Sequence, residues 1–210
     1  MNNTYQVVKT FEKRIAKFCG SKYAVSVDSC SNAILLACEY ENVRQYSDIV
    51  IPSRTYPSVP CSIIHAGGRV KFEDVKWKGA YKLQPTNIVD SAKRFHKGCY
   101  EKGTLTCLSF HVKKFLPIGR GGMILTDDLD AVHWLMCARF DGRHECPLET
   151  DNLRVIGHNC YMLPEQAARG MMLMDFIETH DLSDLEEEPY QDLSKYEMYT
   201  TANRPMPSGI

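Results

Sequence analysis

The stretch Thr106 to Asp127, TCLSFHVKKFLPIGRGGMILTD, sets a hydroxyl, a histidine and two lysines between two apolar runs. Ser109 closes the first run, and His111, Lys113 and Lys114 follow. The turn Gly119-Arg120-Gly121-Gly122 then leads into Met123 to Leu125. A lysine beyond a strand end, beside a hydroxyl and a flexible backbone, can hold a carbonyl compound as a Schiff base. The same residues can equally make an ordinary surface turn, so the rest of the chain decides. Three further clusters bear on it. Asp28-Ser29-Cys30-Ser31-Asn32 joins a short strand to an apolar helix. Such a turn offers free backbone N–H groups and the positive end of a helix dipole to a phosphate, although Ser, Asp and Asn are also plain helix caps. Tyr56 stands near the entrance of an expected helix, and Asp90 is a carboxylate at the end of a brief strand, where it could instead cap a helix from Ser91 onward.

The elements that must position these residues are legible from periodicity. Residues 5–19 put Val7, Val8, Phe11, Ile15 and Phe18 on one helical face opposite Lys9, Lys13 and Lys17, and Gly20 stops the run. Strands are expected at Tyr23 to Val27, Asp48 to Ile51, Arg69 to Phe72, Asn87 to Val89, Leu105 to Phe110 and Gly122 to Thr126. Helices are expected at Ala33 to Glu39, 53–66, Asp128 to Arg139 and Pro164 to Ile177, with 76–85 and 140–155 as loop. Beyond His180 the chain turns acidic and then Pro-rich without a clear apolar face, which reads as a partly ordered tail. Strands alternating with helices predict an α/β layered domain with a mostly parallel sheet. Ligands bind such sheets outside the carboxyl ends of the strands, and Ser29 to Asn32, Tyr56, Asp90 and Ser109 to Lys114 all fall there.

Bulk properties exclude several alternatives. Lys and Arg total 25 against 26 Asp and Glu, a net charge of -1, so there is no electrostatic reason to expect nucleic acid or an anionic membrane as partner. No run is apolar enough to span a bilayer, and MNNTYQVVKTFEKR lacks the apolar core of a signal peptide, so a cytoplasmic location is expected. The 9 cysteines are scattered singly without CxxC spacing, which suits reduced thiols better than a disulfide framework. His111 and His158 have no carboxylate or cysteine companions at metal spacing, and no metal is expected.

Five blocks resemble one family. FEKRIAKFCGSKYAVSVDSCSNAILLAC, IVIPSRTYPSVPCSIIHAGGRVKFEDV, IVDSAKRF, SFHVKKFLPIGRGGMILTDD and GHNCYMLPEQAARG are similar, in order, to blocks of the DegT/DnrJ-type pyridoxal-phosphate sugar aminotransferases, which have the aspartate-aminotransferase (type I) fold. The likeness runs from about Phe11 to about Ile177, and the fourth block is the most specific. It implies a three-layer α/β sandwich over residues 1–180, the cofactor-binding large domain, followed by the 181–210 tail. It also implies pyridoxal 5'-phosphate as cofactor, with Lys114 as the catalytic lysine that holds it as a Schiff base. Cys30 and Ser31 would bind its phosphate through backbone N–H groups and the Ser31 hydroxyl, and Ser109 through its own hydroxyl. Asp90 would pair with the pyridine nitrogen, keeping the ring an electron sink. Tyr56 would stack on the ring, and Asn159 would reach the phosphate of a neighbouring subunit, implying a homodimer with sites at the interface. The implied reaction moves an amino group from an amino acid, commonly glutamate, to a keto sugar, commonly nucleotide-linked.

The chain departs from the family pattern at specific places. Cys30 replaces the glycine of the phosphate turn, Lys93 a glutamine, Arg120 the glutamate of the Gly-rich turn, and Tyr161 an arginine. Family members carry a leading segment and a small C-terminal domain, which the resemblance leaves missing or minimal here. These departures keep two alternatives open: another pyridoxal-phosphate chemistry on the same site, or a non-catalytic or partner-dependent subunit.

Overall fold

The computed structural model describes residues 5–180, 182–185 and 190–201. Helix α1 (Gln6–Cys19) ends at Gly20, whose φ of 89° suits a residue without Cβ and lets its N–H reach the Ala16 carbonyl. There follow β1 (Tyr23–Val27), α2 (Cys30–Tyr40), β2 (Ile49–Pro52), α3 (Ser58–His65), β3 (Val70–Glu73), β4 (Tyr81–Lys82), β5 (Ile88–Asp90), β6 (Leu105–Ser109), β7 (Gly122–Thr126), α4 (Leu129–Ala138), α5 (Pro164–Ile177) and α6 (Glu197–Thr201).

Five strands form one sheet in the order β1-β7-β6-β5-β4, and β2 pairs with β3 beside it. Mutual backbone hydrogen bonds between Val50 and Gln84, 2.8 and 3.1 Å, tie the pair to the main sheet. The sheet is mixed: β5/β6 and β2/β3 are parallel, while β1/β7, β6/β7 and β4/β5 are antiparallel. The reason lies in the 110–121 connection. It carries no crossover helix, so β7 returns alongside β6 in the opposite sense.

Both faces of the sheet are covered, giving the expected three layers. On one face α2, α3 and α4 pack through Ile34, Leu36, Ile63 and Leu135. On the other, α1 and α5 pack through Phe11, Ile15, Ala167 and Met174. Strand β7 is apolar at every central position because it faces both layers: Ile124 points to the first core, Met123 and Leu125 to the second. The α1–α5 contact is close because Gly170 receives the Phe11 ring, and a Cβ there would lie 2.6 Å from it.

A buried ion pair stitches α1, β1 and the end of α4. Arg139 donates from Nη1 to Glu12 and to the Ser26 carbonyl at 2.7 Å, and Glu12 also accepts from the Ser26 N–H and hydroxyl. Every charge in this cluster is met by a partner, which makes its burial tolerable.

The tail reading applies here to 182–185 and 190–201; its Pro-rich end, 202–210, lies outside the described residues. Leu193 and Tyr199 are buried, and the Leu193 N–H donates to the Ser53 carbonyl at 2.9 Å. Tyr199 meets Phe72 edge-on at 6.0 Å. These residues therefore seat along α3 and β3, using apolar positions too widely spaced to show as a helical face. Among the described residues no helix is long and apolar enough to cross a membrane.

Candidate active site

The carboxyl ends of β1, β2, β5 and β6 and the start of antiparallel β7 share one edge of the molecule. A cavity of about 230 Å³ opens there. Six of the seven expected site residues line it: Cys30, Ser31, Tyr56, Asp90, Ser109 and Lys114. The seventh, Asn159, lies outside. Its side chain is exposed and donates from Nδ2 to Asp141 at 2.9 Å, on a segment bridged to Phe140.

The Ser29–Asn32 turn forms a cradle at the start of α2, on the edge of the cavity. Ser29 is the N-cap of α2 and accepts from the Asn32 N–H at 3.2 Å. Asp28 Oδ1 accepts from Ser29 Oγ and Asn32 Nδ2 at 2.9 and 2.7 Å, while Ser62 of α3 donates to the Ser31 carbonyl at 2.9 Å. Beneath the turn lies Gly122, where a Cβ would come within 2.4 Å of the Ser29 carbonyl carbon and 2.6 Å of the Cys30 nitrogen. Only glycine fits that approach. Cys30, which replaces a glycine of the family pattern, does not fill the cradle: its thiol reaches down to the Cys107 carbonyl at 3.8 Å. Burial pushes both thiols up, so they stay protonated.

Asp90 closes β5 and is buried. No helix starts after it; its Oδ1 accepts instead from the Ala92 N–H at 3.0 Å, a side-chain turn rather than a cap. Tyr81 of β4 hydrogen-bonds the carboxylate, and the Tyr81 hydroxyl in turn meets Thr55 Oγ1. Burial raises the Asp90 pKa, against the opposing pull of the Ala92 N–H, Tyr81, Lys114 and Lys93. A carboxylate so placed gains from a further cationic partner inside the cavity.

Lys114 follows β6 on a turn whose N–H donates to the His111 carbonyl at 2.9 Å. Lys113 and His111 line the same cavity. The Gly-rich turn beyond is held by Gln166, which donates to the Arg120 carbonyl at 2.7 Å while accepting from the Leu163 N–H. Arg120 Nη2 lies 2.8 Å from Asp28 Oδ2. The substituted cation thus meets a carboxylate on the rim of the turn before α2.

Sequence reasoning missed part of the wall. Trp77, Thr55 and Tyr190 also line the cavity, beside Lys93, which stands where the family pattern has a glutamine. A tryptophan flanked by Lys76 and Lys78 was the available signal for Trp77. Nothing local marked Tyr190, which the packing of Leu193 and Tyr199 brings in from a distant part of the chain.

The residues fit pyridoxal phosphate: a glycine-floored N–H cradle with two hydroxyls, a buried carboxylate, an aromatic ring and a lysine amine face one space. The fold and this cavity define a large domain of the pyridoxal-phosphate-dependent aminotransferase type. Residues 1–98 and 92–181 match the model of the DegT/DnrJ/EryC1/StrS aminotransferase family, and the chain belongs to that family. It is 26% identical to the spore coat polysaccharide biosynthesis protein SpsC of Bacillus subtilis, over 58% of this chain and 42% of that protein. It is 22% identical to GDP-perosamine synthase of Caulobacter vibrioides, over 81% of this chain and 57% of that one. Among solved structures, Helicobacter pylori PseC, an aminotransferase involved in the biosynthesis of pseudoaminic acid, superposes with a TM-score of 0.70 at 17% identity. That match covers 83% of this chain and 58% of PseC. The chain therefore spans about half the length of the relatives it matches.

Proposed function

We propose that this protein is a pyridoxal-phosphate-dependent aminotransferase that moves an amino group from an amino acid, glutamate foremost, to a nucleotide-linked keto sugar. The observation that carries the reading is the convergence of Lys114, Asp90 and the Ser29–Ser31 cradle on one cavity. When bound, pyridoxal phosphate supplies an aldehyde that takes up amino groups and a pyridinium ring that withdraws electrons.

The chain's own residues do the rest. The N–H groups of Cys30 and Ser31, with the Ser31 and Ser109 hydroxyls, hold a phosphate dianion at the start of α2. Asp90 places a negative charge at the ring nitrogen, oriented by the Tyr81 hydroxyl and the Ala92 N–H. Tyr56 covers the ring face. Lys114 Nζ is the nucleophile toward a carbonyl carbon, and once free it takes the α-proton of the amino donor as general base. Asn159, directed away from its own cavity, serves the phosphate site of a second copy in a homodimer. In this reading residues 1–180 are the cofactor-binding domain and 181–210 an appendage to it.

The test is a half-reaction. Protein loaded with pyridoxal phosphate and mixed with glutamate should release stoichiometric 2-oxoglutarate, and Lys114→Ala should release none. Ammonia or carbon dioxide in its place would assign another chemistry to the site. No product from any amino donor would favour the partner-dependent subunit.

A further inference from the structure

We propose that residues 190–201 form an intrachain cap on the cavity and that Tyr190 is a specificity-determining residue, limiting the occupant to one ring-sized group while the cap is seated. The proposal rests on the cofactor reading only for the identity of that occupant.

The cap has its own anchors. Leu193 is 4% exposed and its N–H donates to the Ser53 carbonyl at 2.9 Å, just beyond β2. Tyr199 is equally buried and packs edge-on against Phe72 of β3. Asp192 Oδ1 accepts from the Ser194 hydroxyl at 2.6 Å and from its N–H at 3.2 Å, fixing the turn between cavity and anchors.

From this base Tyr190 reaches the mouth. Its ring lies nearly parallel to Trp77, at 6.2 Å and 12°, and meets Tyr56 edge-on at 6.4 Å. Trp77 is itself fixed by donating from Nε1 to the Arg54 carbonyl at 2.9 Å. Lys93, 2% exposed, sets its ammonium 4.8 Å from the Tyr190 ring centre and 5.8 Å from that of Trp77. An ammonium withdrawn from water and within about 6 Å of both ring centres attracts both rings, so it draws Tyr190 onto the wall. Where the family pattern has a neutral glutamine, this chain has the cation that both rings approach.

The seated cap leaves about 230 Å³, below the roughly 300–1,000 Å³ of ordinary small-molecule sites. That space suits one ring and its phosphate, and leaves no room for a sugar beside them. Admission of the second substrate then requires Tyr190 to leave the wall, as lids do in other enzymes.

The test uses the full chain with Trp134→Phe, which leaves Trp77 as the single tryptophan of the two. Acrylamide quenching of Trp77 reads the cap directly, and the rate at which pyridoxal phosphate quenches the same fluorescence reads entry. Tyr190→Ala, which removes the ring, and Leu193→Ala, which removes an anchor outside the cavity, should each raise acrylamide quenching severalfold and speed entry. Tyr190→Phe should behave as the parent. Unchanged quenching in both alanine variants, with unfolding midpoints intact, would overturn the cap. Raised quenching without any pyridoxal phosphate response would support the cap while sinking the cofactor reading.

Discussion

Arg120 Nη2 stands 2.8 Å from Asp28 Oδ2, joining the Gly-rich turn after Lys114 to the rim of the cradle before α2. Arg120 is largely solvent-exposed, so the pair is worth about 0–1 kcal/mol in stability; its consequence is local charge. Arg120→Glu would set two carboxylates against each other beside a phosphate site. Affinity for pyridoxal phosphate should fall about tenfold, about 1.4 kcal/mol. Adding Asp28→Asn should recover most of the loss, and a fluorescence titration of the double-mutant cycle checks this.

Gly122 predicts a steeper response. A methyl group there would overlap the Ser29 and Cys30 backbone at 2.4 to 2.6 Å, so Gly122→Ala must push the cradle away from the sheet. The expected cost is about 1–3 kcal/mol of stability in urea unfolding. Affinity for pyridoxal phosphate should fall with it, whereas affinity for pyridoxal, which lacks the phosphate, should change little.

Asp90 links the site to pH. Because burial raises its folded pKa, the stability it contributes is fully present below its unfolded pKa of about 3.9 and is lost as pH rises through the folded value. Asp90→Asn removes that titration. Without cofactor, the variant should therefore have a higher Tm than the parent at neutral pH, with the gap closing as pH falls toward 4. With cofactor, the variant should show no half-reaction. Calorimetry across that range checks the first expectation.

The Glu12–Arg139 pair predicts a purely structural effect. Glu12→Ala strands the Arg139 guanidinium in the core and should cost about 3–5 kcal/mol. Arg139→Met, which removes the charge in its turn, should partly rescue the Glu12→Ala chain. Urea midpoints of the three variants test this.

Much of this architecture was readable in the residues. Tyr23–Val27, Gly122–Thr126 and Pro164–Ile177 begin and end where periodicity and the N-terminal proline place them. Strand β4 was not readable, because two residues carry no period; its pairing of Tyr81 with Asp90 exists only once the sheet assembles. Helix α3 starts at Ser58 rather than 53, with the bends of Ser53 to Thr55 turning Tyr56 into the cavity. The antiparallel return of β7 shows only in the fold, because a hairpin-like return and a crossover look alike until the connection is known to lack a helix.

For the site, strand-end position and residue type located six lining residues, since an α/β sheet gathers ligand contacts at one edge. The wall that Trp77 and Tyr190 form beside Lys93 shows only in the fold, because tertiary packing alone brings the two rings together. Arg120 shows the same limit: the sequence places an inverted charge beside Lys114, and only the fold shows Asp28 waiting for it.

The Schiff base on Lys114 is tested most directly by the visible spectrum of the purified protein with pyridoxal phosphate, followed by borohydride reduction and peptide mass mapping. A yellow absorption band, with the pyridoxyl adduct on Lys114, is expected. Lys113→Ala should keep both signals and Lys114→Ala should lose both. Absence of the band, or an adduct spread over Lys113 and surface lysines, would rule out Lys114 as the cofactor lysine.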